Sequence, residues 1–325
     1  MIRSFVAAEK GLKEIDLQQG TGVPEGLAWV DLLGPTVAEE HLVATILGID
    51  LPTHEEMQEI EVSSRLYQQE GKLFMTAWVL TRSETDNPQS TAVTFILADD
   101  HLVTVRYADP RSFAAFITRV GQAGAAVRHG ETVLVGLLDA IVDRTADVLE
   151  RTGAEVEAVS HTVFEHSDPR STKSRDFQEV LRRIGRIGGL ASKARESLVS
   201  IGRLTAFLSQ SMDGSRSPKE LRARLKTVSR DVHALTDHAS FLNNKINFLL
   251  DATLGMINIE QNAIIKIFSV AAVVFLPPTL IASIYGMNFA HLPELEWLVG
   301  YPFSLLLMVA SALLPYLYFK RRGWL

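Results

Sequence analysis

Two long runs without a charged residue, near the C-terminal end, restrict this chain more than any other feature of its sequence. The first run covers residues 267–285, roughly 19 residues, and the second covers residues 297–319, roughly 23 residues. An α-helix needs about 20 apolar residues to cross the roughly 30 Å hydrocarbon core of a bilayer. Because only the short segment 286–296 joins the runs, the two helices would be antiparallel. The pattern predicts a transmembrane hairpin, and a buried hairpin in a soluble protein is the alternative.

The charges that flank the two runs predict their orientation. Lys266 and the basic tail 320–325 lie on one side of the predicted hairpin. The loop on the other side carries Glu294 and Glu296 and no lysine or arginine. Since cytoplasmic flanks are enriched in Lys and Arg, both termini are expected in the cytoplasm. The first residues lack the apolar core of a signal peptide, and the chain has no cysteine, which fits a cytoplasmic soluble part.

Charge divides the chain unevenly, although its overall composition is ordinary. Roughly 26 acidic and 12 basic side chains precede Ser167, a local balance of about −14. The rest of the chain is basic, by about +8. We therefore expect an acidic soluble domain followed by a basic region next to the membrane.

The part before the apolar runs divides into two predicted domains. Residues 1–130 predict a cytoplasmic α/β domain with a small sheet and covering helices, since β-branched runs alternate with turn signals. Residues 131–216 predict a helical hairpin from apolar residues at helical spacing. The predicted strands are residues 74–80, 91–97 and 101–107, and the predicted helices are 39–47, 112–120, 131–164 and 174–210.

A third, much longer helix has a clear start signal in Ser217-Pro218-Lys219-Glu220. This segment puts a capping serine before a proline at the first helical position and a glutamate at the third. No proline follows until Pro277, so the helix can extend to Tyr285 and include the first apolar run. Its roughly 68 residues would span about 100 Å at 1.5 Å per residue. Residues 217–285 therefore predict a stalk helix that continues into the membrane.

A stripe of polar and small residues follows one face of this predicted helix towards and through the apolar run. Its alternating steps of four and three correspond to a repeat of about 3.5 residues. Polar groups within a membrane span normally face a bundle interior or water, although small residues also serve close helix packing. Because one helix cannot enclose a pore, several copies would each contribute one. The stripe consists of Asp251, Gly255, Asn258, Asn262, Ile265, Ser269, Ala272, Leu276, Thr279 and Ser283.

Directly after the first run, Tyr285-Gly286-Met287-Asn288 resembles the Gly-Met-Asn signature of the CorA magnesium transporter family. Phe289, Pro293-Glu294-Leu295 and the terminal residues 316–325 extend the resemblance. Residues 247–262 and 264–288 look like the enterobacterial-type branch of that family. The resemblance is close over the C-terminal quarter of the chain and concerns only the architecture before it.

The resemblance implies an α+β cytoplasmic domain, a long stalk helix and a two-helix transmembrane hairpin, assembled as a homopentameric, funnel-like channel in the bacterial inner membrane. It implies Mg²⁺ as the transported ion, with Co²⁺ and Ni²⁺ also passing. The loop 286–296 would be periplasmic, with residues 297–319 as the outer span and 320–325 as a cytoplasmic tail.

By position in the family motif, Gly286, Met287 and Asn288 would form the selectivity filter. Asn262 would match a residue needed for permeation, and Thr279 a polar ring. Leu292 and Ala290 depart from the family pattern, which often has a methionine at the first position and an acid or aromatic at the second.

Regulation is expected from the acidic soluble domain. Carboxylates clustered between copies would repel one another until Mg²⁺ screens them, so bound Mg²⁺ would favour a closed assembly. The candidate regulatory ligands are Glu70, Asp231 and Asp237. A merely solvated acidic surface is the alternative.

Other functions remain as alternatives. A ZntB-type zinc transporter shares the Gly-Met-Asn signature, and a non-conducting membrane-anchored metal sensor would share the architecture. An enzyme is not expected, because the histidines lack zinc-ligand spacing and no nucleophile elbow or ATPase motif is present. Nor is an organic cofactor or a nucleic-acid partner expected. The expected partners are copies of the chain itself, divalent cations and the lipid bilayer.

Overall fold

A computed structural model describes residues 1–9, 11–17, 22–85, 87–123, 127–164, 177–213, 217–288 and 297–323. The chain forms two compact units, Met1–Leu250 and Asp251–Leu325. The boundary between them falls within one continuous helix.

The strands are β1 (Ile2–Ala7), β2 (Leu12–Ile15), β3 (Leu27–Leu33), β4 (Leu66–Gln69), β5 (Lys72–Thr81), β6 (Gln89–Ala98) and β7 (His101–Arg106). The helices are α1 (Val37–Leu47), α2 (His54–Met57), α3 (Val62–Arg65), α4 (Arg111–Ala123), α5 (Gly130–Phe164), α6 (Phe177–Asp213), α7 (Lys219–Tyr285) and α8 (Gly300–Arg321).

The strands form one seven-stranded sheet in the order β2-β1-β3-β7-β6-β5-β4. Only the central pair β3 and β7 is parallel, and all other neighbours are antiparallel. The three predicted strands are confirmed as β5, β6 and β7. The other four were not predicted, so the sheet is larger than the sequence indicated. Two of them, β2 and β4, are only four residues long and carry little of the alternation that identifies a strand.

Helices cover both faces of the sheet. Side chains along a strand point alternately to opposite faces, so each strand contributes residues to both layers of packing. On β5, Met75 and Ala77 belong to a core shared with α4, α5, α6 and the first part of α7. Their neighbour Phe74 belongs to a second core, which includes Val43 of α1 and Met57 of α2. The sheet and the long helices of the first unit therefore share one hydrophobic core.

A buried ion pair joins the two parallel strands at the centre of the sheet. Arg106 donates from Nε and Nη2 to the carboxylate oxygens of Asp31 at 3.0 and 2.8 Å. Thr104 donates to the same carboxylate at 2.7 Å, and Trp29 donates its indole N–H to Thr104 at 2.9 Å. The Arg106 and Asp31 side chains are 3% and 0% exposed. Since a buried charge is costly unless it is paired and hydrogen-bonded, this network fixes the pairing of β3 with β7.

The long helix α7 has 67 residues and ends at Tyr285, as its start signal and composition predicted. The hydroxyl of Ser217, just before α7, donates to both carboxylate oxygens of Glu131 near the start of α5, at 2.9 and 2.7 Å. The predicted helices of residues 131–164 and 174–210 correspond to α5 and α6, except that residues 174–176 lie outside the described part of the chain.

The second unit consists of the end of α7 and of α8. Both helices are long and apolar enough to cross a membrane, and only 6% of each apolar window is buried within the chain. A hairpin in the core of a soluble protein would be mostly buried, so that alternative is wrong.

Replacing one partner of the central ion pair should destabilise the protein strongly. Arg106→Met would leave the Asp31 carboxylate buried without its partner, and we expect a loss of about 3–5 kcal/mol of unfolding free energy. Adding Asp31→Leu should restore much of it, since the uncompensated charge is then gone. Thermal unfolding of the detergent-purified protein, followed by circular dichroism, measures both. Arg3→Met, which removes half of a partly exposed pair with Glu14, is the control and should cost at most about 1 kcal/mol. Equal effects of the two single changes would contradict the assigned role of the network.

Candidate ion path along α7

The polar stripe predicted from the sequence lies exposed along α7. All ten of its positions, from Asp251 to Ser283, are exposed in the single chain. They include two large apolar side chains, Ile265 at 61% and Leu276 at 65% exposure. Nothing within the described part of the chain covers this face, so it is available to solvent or to another copy.

A second stripe of α7 is the less exposed one. Val270 is 5% exposed, and Val274 and Ile281 are partly buried. On α8 the buried residues are Gly300 and Ser304. Because the second unit contains only these two helices among its described elements, the less exposed stripes mark the faces that pack together. At 3.6 residues per turn the membrane part of the polar stripe, from Ser269 to Ser283, is centred roughly 160° from this packing face. The second helix therefore packs against the side of α7 that is opposite the polar stripe.

The signature residues follow at the C-terminal end of α7. The Gly286 N–H donates to the Ala282 carbonyl at 2.9 Å, and the Met287 N–H donates to the Ile284 carbonyl at 3.3 Å. A Cβ atom on Gly286 would lie 3.0 Å from the Ala282 oxygen, tighter than nine in ten real Cβ contacts, so glycine fits here without a local shift. Helix C-termini present carbonyl oxygens and the negative end of the helix dipole, so this end of α7 favours cations. Asn288, just beyond it, is exposed.

Two adjacent prolines lie inside the apolar part of α7, at positions 277 and 278. Since proline has no N–H, the carbonyls of Val273 and Val274 lack their usual partners four residues later. Directly after the prolines, the Thr279 hydroxyl donates to the next two carbonyls, of Phe275 and Leu276, at 3.1 and 2.8 Å. Its proton is used within the helix, which leaves its oxygen lone pairs for a ligand or water on the exposed stripe.

The three candidate regulatory carboxylates lie apart. Glu70 occupies the β4–β5 turn at φ 50°, followed by Gly71 at φ 79°, a pair of positive values typical of a type I′ hairpin turn. Asp231 and Asp237 are exposed on α7, and their spacing of six residues puts them on different faces. Among the described residues no group of three or more potential ligands could hold a metal ion. A regulatory site built from these residues would need a second copy, so it stays a prediction.

An acidic ladder on α5 was not singled out from the sequence, although its spacing of four residues was visible. Asp139, Asp143 and Asp147 follow one another along the helix. Arg119 contacts Asp139 at 3.2 Å and Asp143 at 3.0 Å, and Arg224 of α7 contacts Asp139 at 2.8 Å. Partial burial and the neighbouring Asp139 raise the pKa of Asp143, although Arg119 opposes this. Much of this acidic charge is therefore neutralised within the chain.

The loop between the two membrane helices is only partly described. Ala290, Leu292 and the segment 293–295 lie outside the described residues, and their expected influence on the mouth of the path stays a prediction. Trp297 and Tyr301, on the other side of the loop, are 56% and 76% exposed, as expected of aromatics at a membrane interface.

A mixed α/β unit, a 67-residue helix that becomes apolar, a second apolar helix and a Gly-Met-Asn turn between them define a two-span membrane protein. The sequence model described as "CorA-like Mg2+ transporter protein" matches residues 24–321. The chain therefore belongs to the CorA-like Mg²⁺ transporter family.

A relative and two solved structures place it further. The Magnesium transport protein CorA of Yersinia pseudotuberculosis is 34% identical over 325 residues, covering 100% of both chains. The complete structure of the CorA magnesium transporter from Methanocaldococcus jannaschii has the same fold, with a TM-score of 0.78 and 19% identity over 100% of this chain and 99% of that one. The ZntB cytoplasmic domain from Vibrio parahaemolyticus also has the fold, with a TM-score of 0.59 and 6% identity over 79% of this chain and 98% of that one.

Cysteine substitution can test which side of α7 meets water, because the chain has no cysteine of its own. Ser283→Cys, on the polar stripe, should react with a small water-soluble thiol reagent. Ile281→Cys, two residues away on the face towards α8, should react at least about tenfold more slowly, since exclusion of water suppresses the reactive thiolate. The modification rates of the two membrane-embedded variants are compared by mass spectrometry. Faster reaction at position 281 would contradict the proposed water-facing stripe.

Proposed function

We propose that this protein transports Mg²⁺ into the cytoplasm through a path lined by α7 from several copies of the chain. The observation that carries the proposal is the exposed polar stripe, which lies opposite the α8-packing face and runs towards Gly286, Met287 and Asn288. Transport is in keeping with the family to which the chain belongs. In the proposed orientation, both termini lie in the cytoplasm of a bacterium and the loop 286–296 lies in the periplasm. The basic flanks at Lys266 and 320–322 support this orientation.

Assembly follows from the cost of leaving the stripe in lipid. Ser269, Thr279 and Ser283 lie in the membrane run and are exposed in the single chain, and polar groups within hydrocarbon are costly unless protein or water satisfies them. Facing the stripes of neighbouring copies inward removes that cost and creates a polar path. The resemblance to the CorA family favours a homopentamer, with α8 outside the ring of α7 helices.

The ion's own chemistry agrees with neutral oxygens at the mouth. Mg²⁺ holds an octahedral shell of water and loses it reluctantly. The Asn288 amide and the backbone carbonyls near Gly286 would accept hydrogen bonds from that water shell without replacing it, and Co²⁺ and Ni²⁺ hydrates of similar size would pass as well. Rings of carboxylates would bind a divalent ion more tightly and delay its release. A double charge crossing about 100 mV, negative inside, gains about 4.6 kcal/mol, so the membrane potential can drive entry.

The zinc alternative shares the fold, so it must be judged from the path itself. Zinc sites in proteins use mainly Cys and His ligands, with some carboxylates. The stripe from Asp251 to Ser283 contains neither His nor Cys and offers one carboxylate, two carboxamides and hydroxyls. Oxygen ligands of this kind suit Mg²⁺ better than Zn²⁺. A non-conducting sensor would differ from a transporter in one measurable property, because it would show no ion flux.

Feedback by cytoplasmic Mg²⁺ is the regulatory part of the proposal. Glu70, Asp231 and Asp237 are exposed and belong to the acidic first unit, where copies of the chain would bring like charges together. A divalent ion held between copies would relieve that repulsion and favour the closed assembly, to the extent that it binds the closed state more tightly.

Loss of the filter amide should abolish transport without affecting folding. Asn288→Ala removes the side chain that would bind the hydrated ion, and we expect Mg²⁺ uptake into proteoliposomes to fall about tenfold or more. Uptake is followed with an entrapped Mg²⁺-sensitive dye at an imposed inside-negative potential. Asn87→Ala, which removes an exposed amide in the loop between β5 and β6, is the matched control and should transport normally. Unimpaired uptake by Asn288→Ala would refute the filter role, and absent uptake by the wild-type protein would favour the sensor.

The feedback proposal makes a separate prediction about protease sensitivity. With Mg²⁺ the first unit should resist cleavage, and with EDTA it should become labile, because the repelling copies separate. Neutralising Glu70 and Asp231 together should lower the Mg²⁺ dependence of that protection. Limited proteolysis of the detergent-purified protein, resolved by gel electrophoresis, gives the half-lives. Identical half-lives with and without Mg²⁺ would leave the acidic charge with a role in solubility alone.

A further inference from the structure

A groove in the first unit lies between α6 and the end of α3. Its volume is about 710 Å³, and its floor includes Trp78 of β5. The wall on the α6 side carries Arg195 and Arg203, and the opposite wall carries Arg65, the last residue of α3. None of these residues belongs to the polar stripe or to the Gly-Met-Asn turn, so the ion path does not account for the groove.

The floor of the groove is rigid. The Trp78 backbone N–H, on β5, donates to the Ser200 hydroxyl of α6 at 3.0 Å. Strand β4 does not reach Trp78. It pairs with β5 only between Lys72, which lies opposite Gln69, and Met75, which lies opposite Leu66. Ser200 therefore satisfies a strand edge that β4 leaves open, and it holds α6 against the sheet beside the groove.

Two of the three guanidinium groups, those of Arg65 and Arg195, are held in place, yet their terminal nitrogens remain available. Arg65 lies over the Trp78 ring, 5.2 Å from its centroid, and its Nε donates to the Glu59 carbonyl. Arg195 donates from Nε to the Ser240 hydroxyl at 3.0 Å. Within the described part of the chain, neither arginine forms an ion pair, and neither does Arg203. The terminal N–H groups of fixed arginines are the donors that bind phosphate oxygens in bidentate geometry.

Arg65 and Arg203 are close enough to repel each other, and Glu196 offsets part of that repulsion. Burial lowers the pKa of Arg65 and the positive charge of Arg203 lowers it further, whereas Glu196 raises it; all three residues line the same groove. Glu196 is the only carboxylate among the residues that line the groove, so the net charge there is positive. Most of the lining belongs to α6, in the basic part of the chain after Ser167, so the surroundings favour an anion.

The spacing of the charges indicates an extended ligand. Arg195 and Arg203 are eight residues apart on α6, a distance of about 12 Å along the helix axis. Arginines at such positions can each bind a different phosphate group of one ligand. A chain of phosphates spans such a distance, and the amides of Gln58 and Asn243 and the exposed Ile60 lie in the same groove for the rest of a larger molecule.

We propose that this groove binds a polyphosphate chain, either as part of a nucleoside triphosphate or as inorganic tripolyphosphate. The terminal nitrogens of Arg65, Arg195 and Arg203 hold the phosphate oxygens, and Trp78 and Ser200 keep the walls in place. Glu196 opposes a bare anion and accepts a polyphosphate whose charge is reduced by a bound divalent cation. The site would let the first unit respond to the cytoplasmic pool of metal-bound phosphates, and it does not depend on the proposed ion path.

Isothermal titration of the full-length, detergent-purified protein with Mg²⁺-ATP tests the proposal. We expect saturable binding that weakens about tenfold in Arg203→Gln, because one charge-assisted contact is lost. Arg203 is exposed, so this substitution should not affect folding. Arg182→Gln removes the same charge from the same helix outside the groove and should bind as the wild type does. Glu196→Gln should bind metal-free ATP more tightly than the wild type does.

A parallel titration with inorganic tripolyphosphate distinguishes the two sources. Tighter binding of ATP, lost in part in Asn243→Ala, assigns a nucleotide, and equal affinity assigns the phosphate chain alone. No saturable binding of either compound, or an equal loss in Arg203→Gln and Arg182→Gln, would overturn the proposal. So would crosslinking of a cysteine at position 203 to a second copy at the same efficiency with and without ATP, because the groove would then be an interface between copies.

Discussion

A peptide chain inside a bilayer has no water to satisfy its N–H and C=O groups, and the second unit follows from that constraint. Helices bond their own backbone, so both apolar runs become helices, and α7 continues from the first unit without a break in its secondary structure. The same constraint makes every polar group on these helices informative. Ser269, Thr279 and Ser283 would be costly in lipid, and their placement on one exposed face, opposite the α8-packing face, is why a polar path is the best account of the stripe.

The sequence predicted best those features that depend on nearby residues. The start of α7 near Ser217 and its end at Tyr285 follow from local capping chemistry and composition, and the structure has both. The three strands β5, β6 and β7 alternate clearly. In contrast, the pairing of β3 with β7 depends on Asp31 and Arg106, which are 75 residues apart. In the sequence alone, a buried aspartate in an otherwise apolar strand argues against that strand, because its charge-neutralising partner is distant.

The candidate sites also differ in how far the nearby sequence predicts them. The stripe on α7 could be predicted because a repeat of about 3.5 residues lies within one helix. The regulatory carboxylates could not be assembled into a site from the sequence. Ligands that come from different copies of the chain have no fixed separation along one sequence, so no motif identifies them. The arginine groove is intermediate: its members lie on α3 and α6, and only the packing of α6 against the open edge of β5 brings Arg65 near Arg203.

The pair of prolines within α7 also has a mechanical consequence. Helix stiffness comes from the ladder of backbone hydrogen bonds, and this ladder lacks two successive rungs at the carbonyls of Val273 and Val274. The Thr279 hydroxyl bonds to the carbonyls of Phe275 and Leu276, so it does not satisfy the carbonyls of Val273 and Val274. Bending is therefore easiest at this one level, and the segment from Thr279 to Tyr285 can tilt as a short rigid body while the rest of the helix keeps its axis. A small rotation there would change the separation of the residues just beyond it, so the chain has a built-in hinge about two turns below its signature turn.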